Sequence, residues 1–214
     1  TCVLTAVLTT IAGYIFSRKR FYYRNSFMII ISFTMLFNGG IVPSYIMWTG
    51  TFHIKDTIFA QLLPNFLLSA WNVMMIRTYF TTSIPDGLYE AAEIDGASQF
   101  TIFWKIVLPL GKPILVTMGT FAGLAYWNDW TNGLYYIVKN TGLYNVQNLL
   151  NQMVQNIQFL TQSSNSNVTA AASTIPATGI QMAIAFVAIL PIMLIFPSFQ
   201  KYYAKGIALG AVKG

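Results

Sequence analysis

Apolar positions along this chain come in long, nearly unbroken runs. They show neither the strict alternation of a half-buried strand nor the narrow stripe of a soluble amphipathic helix. Five runs approach the roughly 20 residues that a bilayer-spanning helix requires, over 1–17, 26–48, 57–80, 113–137 and 177–199. Polar connectors separate them over 17–25, 49–56, 81–112 and 138–176, and a tail follows over 200–214. The pattern predicts an all-α fold, a polytopic transmembrane helical bundle with five spans visible.

Composition agrees with that class. Of the 214 residues, 55% are hydrophobic and 8% charged, against roughly a quarter charged in ordinary soluble domains. The net charge of +6 is no sign of nucleic acid, because the basic residues form no patch interleaved with aromatics. Their placement instead sets the orientation. Arg18, Lys19, Arg20, Arg24, Arg77, Lys105, Lys112, Lys201, Lys205 and Lys213 fall on one side of the alternating spans, and Lys55 and Lys139 on the other, ten against two. The positive-inside rule makes the first side, and with it the C-terminus, cytoplasmic. The first run must then enter from outside, so a further span is expected before it, six in all. Trp48, Trp127, Trp130, Tyr135 and Tyr136 gather towards outer ends, as interfacial aromatics do.

Little here can do covalent chemistry. Cys2 and His53 are the only cysteine and histidine, so no intrachain disulfide and no multi-cysteine metal site can form, and one outer-loop histidine with one terminal cysteine does not supply the usual nucleophile–histidine set. No metal site and no chain-bound cofactor is expected. An intramembrane enzyme would need an acid/base pair or metal cluster within the spans. No G-x-x-x-x-G-K-[ST] phosphate loop occurs either, so any ATP-driven step belongs to another polypeptide.

The connector 81–112 is the unusual part. Ser83-Ile-Pro85-Asp86 reads as a helix start, with proline in the first turn and an acid at the positive end. A helix is predicted over Leu88–Asp95, stopped by Gly96, and a second from Ala97 to Val107, ended by Pro109. Ala91 and Ala92 allow close approach of another surface, Glu90 and Glu93 lie one turn apart, and Phe100, Phe103 and Trp104 offer apolar anchors. These residues alone suit a docking element and, equally, an amphipathic connector lying on the bilayer.

The stretch "EAAEIDGASQFTIFWKIVLPLGKPIL" resembles the EAA signature of binding-protein-dependent ABC importer permeases. Glu90-Ala91-Ala92, Asp95-Gly96 and Ile106-Val107-Leu108-Pro109 carry that resemblance. The stretches "SRKRFYYRN", "NGGIVPSYIMW", "WNDW" and "QKYYAKGIALGAVKG" are similar to the carbohydrate-uptake branch, its maltose-type second permease and the oligosaccharide permeases of the lipoprotein-linked kind. The resemblance implies a type I ABC importer permease fold in a bacterial cell membrane. It makes the EAA helix a coupling helix docked in an ATPase cleft, with Glu90, Ala91, Ala92, Glu93, Asp95 and Gly96 in that socket. It implies as partners two ABC ATPase subunits that carry the ATP and magnesium, a second and different permease, an extracytoplasmic solute-binding protein, and a carbohydrate, an oligosaccharide above all. EAA loops also occur in importers of peptides and amino acids, the alternative cargo.

For a neutral, hydroxyl-rich solute the spans offer amides and aromatic faces. Gln61, Asn65, Ser69 and Asn72 recur at spacings of four, four and three, a polar stripe if 57–80 is one helix. Trp127, Asn128 and Asn132 cluster with Asp129 further on, and Gln181 lies on the last span. The same polar residues also serve to glue neighbouring spans together. Gly119 and Gly123, spaced G-x-x-x-G, are expected to permit close helix packing. The outer connector begins with helical spacing in "LYNVQNLLNQMVQNIQFL" and passes into "TQSSNSN". In maltose-type permeases the corresponding loop reaches towards the binding protein, and the same is expected here.

Overall fold

The computed structural model describes residues 2–64, 68–162 and 177–211, and every structural statement concerns these. They are helical: α1 Cys2–Ser17, α2 Arg24–Leu36, α3 Ile41–Thr51, α4 Phe59–Leu62, α5 Ala70–Ser83, α6 Asp86–Ile94, α7 Gln99–Leu110, α8 Lys112–Trp127, α9 Thr131–Tyr136, α10 Val146–Gln162 and α11 Ala177–Ala211. The chain forms two compact units. One comprises Thr1–Ser44, Asn65–Tyr126 and Phe199–Gly214, the other Tyr45–Pro64 and Trp127–Ser198.

In the first unit α1 is built inside out. Val3, Leu4, Val7, Ile11 and Ile15 face outward, while Thr5, Thr9, Thr10 and Gly13 are buried. Apolar side chains need no burial against protein where lipid is the solvent, and small residues let backbones approach. The hydroxyls of Thr9 and Thr10 bond back to the carbonyls of Thr5 and Ala6, so they cost no unsatisfied donor. Gly13 meets α5, which buries Val73, Ile76 and Phe80 on one face. The guanidinium of Arg77 donates to the Phe16 carbonyl at 3.2 Å and closes the end of α1. Around this contact lies a core of Tyr14, Ile76, Phe80, Ile84, Tyr89, Ile102, Val107 and Met118.

In the second unit Ile54, Ala60, Tyr136 and Ile137 form a smaller core, joined by Tyr45, Trp48, Leu143 and Tyr144. Asp56 ties it from outside. Its carboxylate accepts the backbone N–H groups of Val138, Lys139 and Asn140 at 2.6, 2.7 and 3.3 Å.

Several expected spans are interrupted. The run 26–48 breaks after Leu36, where the Asn38 side chain accepts the N–H of Gly40, whose φ is +87°. A side-chain turn followed by a left-handed glycine overrides the hydrophobic run. The run 57–80 is α4 and α5 rather than one helix, with Pro64 after the first. The run 113–137 stops at Trp127 and resumes as α9, because the Asp129 carboxylate takes the N–H groups of Thr131 and Asn132 and starts a new helix. The runs 1–17 and 177–199 are each carried by one helix, α1 and α11. Among the described residues, Thr178–Ile195 alone is long and apolar enough to cross a membrane as one helix, while α2–α3 and α7–α8 qualify only as bent pairs.

Pro109 does not end its helix. The turn before it, Phe103–Val107, widens to π geometry, which accommodates a residue with no N–H to donate. The helix stops instead at Gly111, and α8 leaves at 79°. Close packing falls at Gly13 and Gly111 rather than at Gly119 and Gly123, beside which a β-carbon meets no described atom within 4 Å.

Candidate coupling face and solute groove

α6 begins after Pro85 with Asp86 in its first turn. It ends on Gly96 at φ +78°, where the N–H of Gly96 reaches the Glu93 carbonyl and that of Ala97 the Ala92 carbonyl. This paired reversal is a Schellman motif, and its left-handed position favours glycine. Ser98 then caps α7 by accepting the N–H of Thr101 at 3.2 Å.

The helix has two unlike faces. Inward, Tyr89 is buried in the core and Ala92 packs against it. Burial pushes the Tyr89 phenol up to about 12, so it remains a neutral ring. Glu93 also turns inward. It accepts Arg18 Nη2 at 2.8 Å and Gln99 Nε2 at 2.7 Å, and Arg20 lies 3.9 Å from its other oxygen. Outward, Glu90, Ala91, Asp95 and Gly96 are exposed. Ile94 is 86% exposed and Phe100 71%, with Trp104 in edge contact with Phe100 at 6.0 Å. Phe103 instead packs on Tyr14. The six expected socket residues therefore divide. Glu90, Ala91, Asp95 and Gly96 lie open, whereas Ala92 and Glu93 hold the helix to its own chain. Ile94 completes the open face and escaped the reading by residue type, since an isoleucine in a short helix is ordinarily core.

The expected polar stripe is not carried by one helix. Gln61 lies on α4, Ser69 precedes α5 and Asn72 lies within it, while Asn65 falls outside the described residues. Gln61 donates to the Leu143 carbonyl at 3.3 Å. Trp127 donates its indole N–H to the Ala188 carbonyl at 3.0 Å. Asn132 is 1% exposed and donates to the Pro64 carbonyl. Asn128 is exposed and Gln181 half-buried.

Ser69 and Asn72 do come together, in a groove of about 420 Å³ on the first unit. Thr5, Trp71, Phe121, Ala122, Ala125 and Tyr126 complete it, and the Thr5 and Tyr126 hydroxyls are 3.2 Å apart. Its lining holds hydroxyls, one amide and three aromatic side chains, and no Asp, Glu, Lys, Arg or His. Trp71 and Tyr126 come from different helices and join only by folding.

The family model for the binding-protein-dependent transport system inner membrane component matches residues 6–209. The chain belongs to this family. As a permease it is similar to the polygalacturonan/rhamnogalacturonan transport system permease protein YtcP of Bacillus subtilis (strain 168), 34% identical over all of this chain and 74% of that protein. It is likewise 34% identical to Protein LplC of the same organism, over all of this chain and 71% of LplC. Among solved structures, a bacterial ABC transporter involved in the import of the acidic polysaccharide alginate matches 94% of this permease and 69% of that chain, at a TM-score of 0.75 and 27% identity. The helical fold is thus that of an ABC importer permease.

Proposed function

We infer that this permease is the membrane subunit of an ATP-driven importer and forms part of the passage for a carbohydrate. The observation that carries the reading is the divided coupling helix. One face of α6 is fixed to the permease body, and the other presents Glu90, Ala91, Ile94 and Asp95 with Phe100 and Trp104 beside them. An exposed apolar cluster rimmed by acids is what a protein partner requires. That partner is an ATPase subunit, which carries the ATP and magnesium, two copies serving a pair of permeases. Its closure pushes α6 and switches the access of the passage. The second permease is a different chain, the C-terminus lies on the ATPase side, and an extracytoplasmic binding protein delivers the cargo.

The cargo class rests on two supports. The similar proteins whose names state a cargo are transporters of carbohydrates, and the groove at Ser69, Trp71, Asn72 and Tyr126 offers what a sugar uses: ring faces for its C–H surface and polar groups for its hydroxyls. With no ionised group in its lining, the groove meets the neutral hydroxyl face of an oligosaccharide. By residue type, Gln61, Asn65, Trp127, Asn128, Asn132 and Gln181 are proposed as further residues of the solute pathway.

Reconstitution of the whole transporter tests this reading. Uptake of oligosaccharides should compete among themselves and leave peptides and amino acids outside. Equal uptake of a peptide would count against it.

A further inference from the structure

Glu93 is the meeting point of three elements, and Arg18 is what brings α1 to it. The Arg18 guanidinium lies 2.8 Å from Glu93 and stacks 3.9 Å above the Tyr89 ring, with a side chain only 16% exposed. Gln99, from α7, holds the same Glu93 oxygen and accepts the hydroxyl of Tyr14 at 3.2 Å. The next residue along, Lys19, pairs with Asp86 at the opposite end of α6. Consecutive residues at the end of α1 therefore grip both ends of the helix. Behind them, α1 is locked to α5 through Gly13 on Ile76 and through Arg77 on the Phe16 carbonyl.

We propose that Arg18 is the positioning residue that makes α1 move with the coupling helix. The inference deepens the reading of α6 as the ATPase-docking helix and rests on it. Chain connectivity, the core around Tyr89 and the Glu93–Gln99 hydrogen bond join α6 to α5 and α7. The Arg18 link adds a direct route to α1, whose Thr5 lines the groove 13 residues away in sequence. A half-buried, hydrogen-bonded ion pair stacked on a ring has a defined geometry, unlike an exposed pair. The Lys19–Asp86 pair is of the exposed kind, with side chains 69% and 56% accessible, and steadies the helix without fixing it. A displacement of α6 by its partner thus reaches the groove wall through Glu93, Arg18 and the α1 backbone.

The test uses the complete transporter in liposomes and reads sugar imported per ATP hydrolysed. Arg18→Gln should still assemble with the ATPase and hydrolyse ATP, while imported sugar per ATP falls about ten-fold, within the range of ordinary coupling energies. Arg18→Lys, which keeps the charge and loses the planar stack, should recover part of the ratio. So should the exchange Arg18→Glu with Glu93→Arg. An unchanged ratio in Arg18→Gln overturns the proposal. Loss of assembly that neither Arg18→Lys nor the exchange restores also overturns it, making Arg18 a folding residue. Failure of the unmodified permease to hold any ATPase would show earlier and separately, removing the reading of α6 and this inference with it.

Discussion

Gly13 lies so close to Ile76 that a β-carbon at position 13 would stand 2.6 Å from the Ile76 Cγ2. The α1–α5 contact is therefore set by the missing side chain. Gly13→Val should force the helices apart and destabilise the permease by about 1–3 kcal/mol, the usual cost of overpacking. Gly13→Ala should cost less than Gly13→Val, because it adds one carbon rather than three, although that carbon already meets Ile76 Cγ2 and Cβ. Thermal aggregation midpoints in detergent measure both, and a wild-type midpoint for Gly13→Val would mean the helices do not meet there.

Gly96 poses the opposite problem. A β-carbon there meets nothing within 4 Å, yet φ is +78°. Only backbone strain opposes substitution, at about 1–2 kcal/mol for a non-glycine residue. Gly96→Val should redirect the chain between α6 and α7 and lower uptake while membrane insertion continues. Gly96→Asn, which tolerates the left-handed region, should retain most uptake. Uptake and membrane yield, measured side by side, distinguish a misplaced coupling face from a misfolded permease.

The end of α6 was legible because one residue type, glycine after an acidic helix, fixes one local geometry. The membrane class was legible because long apolar runs have few other physical meanings. What the sequence hid is non-local. Arg18 and Glu93 stand 75 residues apart, and no periodicity announces which arginine takes which acid. Trp71 and Tyr126 stand out in neither of their own segments and reach one groove only when two helices pack. The polar stripe of Gln61, Ser69 and Asn72 presupposed a continuous helix, and Pro64 lay inside it as the contrary signal. At Asn38-Gly39-Gly40 the turn chemistry was likewise present but outweighed, in a hydropathy reading, by the apolar residues around it.

In the groove, Asn72→Ala removes an amide from the lining and Trp71→Ala a ring face. Loss of one hydrogen bond to solute is worth about 0.5–1.5 kcal/mol. Asn72→Ala should accordingly raise the KM for sugar several-fold, and Trp71→Ala should alter preference among sugars differing in their C–H face. Assembly with the ATPase should be unaffected in both. Unchanged KM and selectivity across a sugar panel would remove the groove from the passage.

Asp56 gives a pH dependence. The N–H groups of Lys139 and then Val138 hold its carboxyl below the usual aspartate range. A depressed folded pKa means the stabilisation is full above the ordinary aspartate pKa and lost as pH falls through the depressed value. The attachment of Val138–Asn140 should thus be intact at neutral pH and loosen only in strong acid. Asp56→Ala should produce the loosened state at pH 7, read as faster amide exchange at Val138 and Lys139 after correction for intrinsic rates. Unaltered exchange in that variant would mean other contacts hold the segment.

The central claim is that the outward face of α6 meets an ATPase while its inward face belongs to the permease. Ala91 and Ala92 are neighbours on opposite sides of that division. The direct measurement is a cysteine at each position, on a background with Cys2 replaced, treated with a short thiol crosslinker in native membranes and identified by mass spectrometry. The expected result is an ABC ATPase subunit joined to Ala91→Cys and little or none joined to Ala92→Cys. If no ATPase is joined at Ala91→Cys, or both positions capture it equally, α6 does not present the face described and the coupling assignment fails.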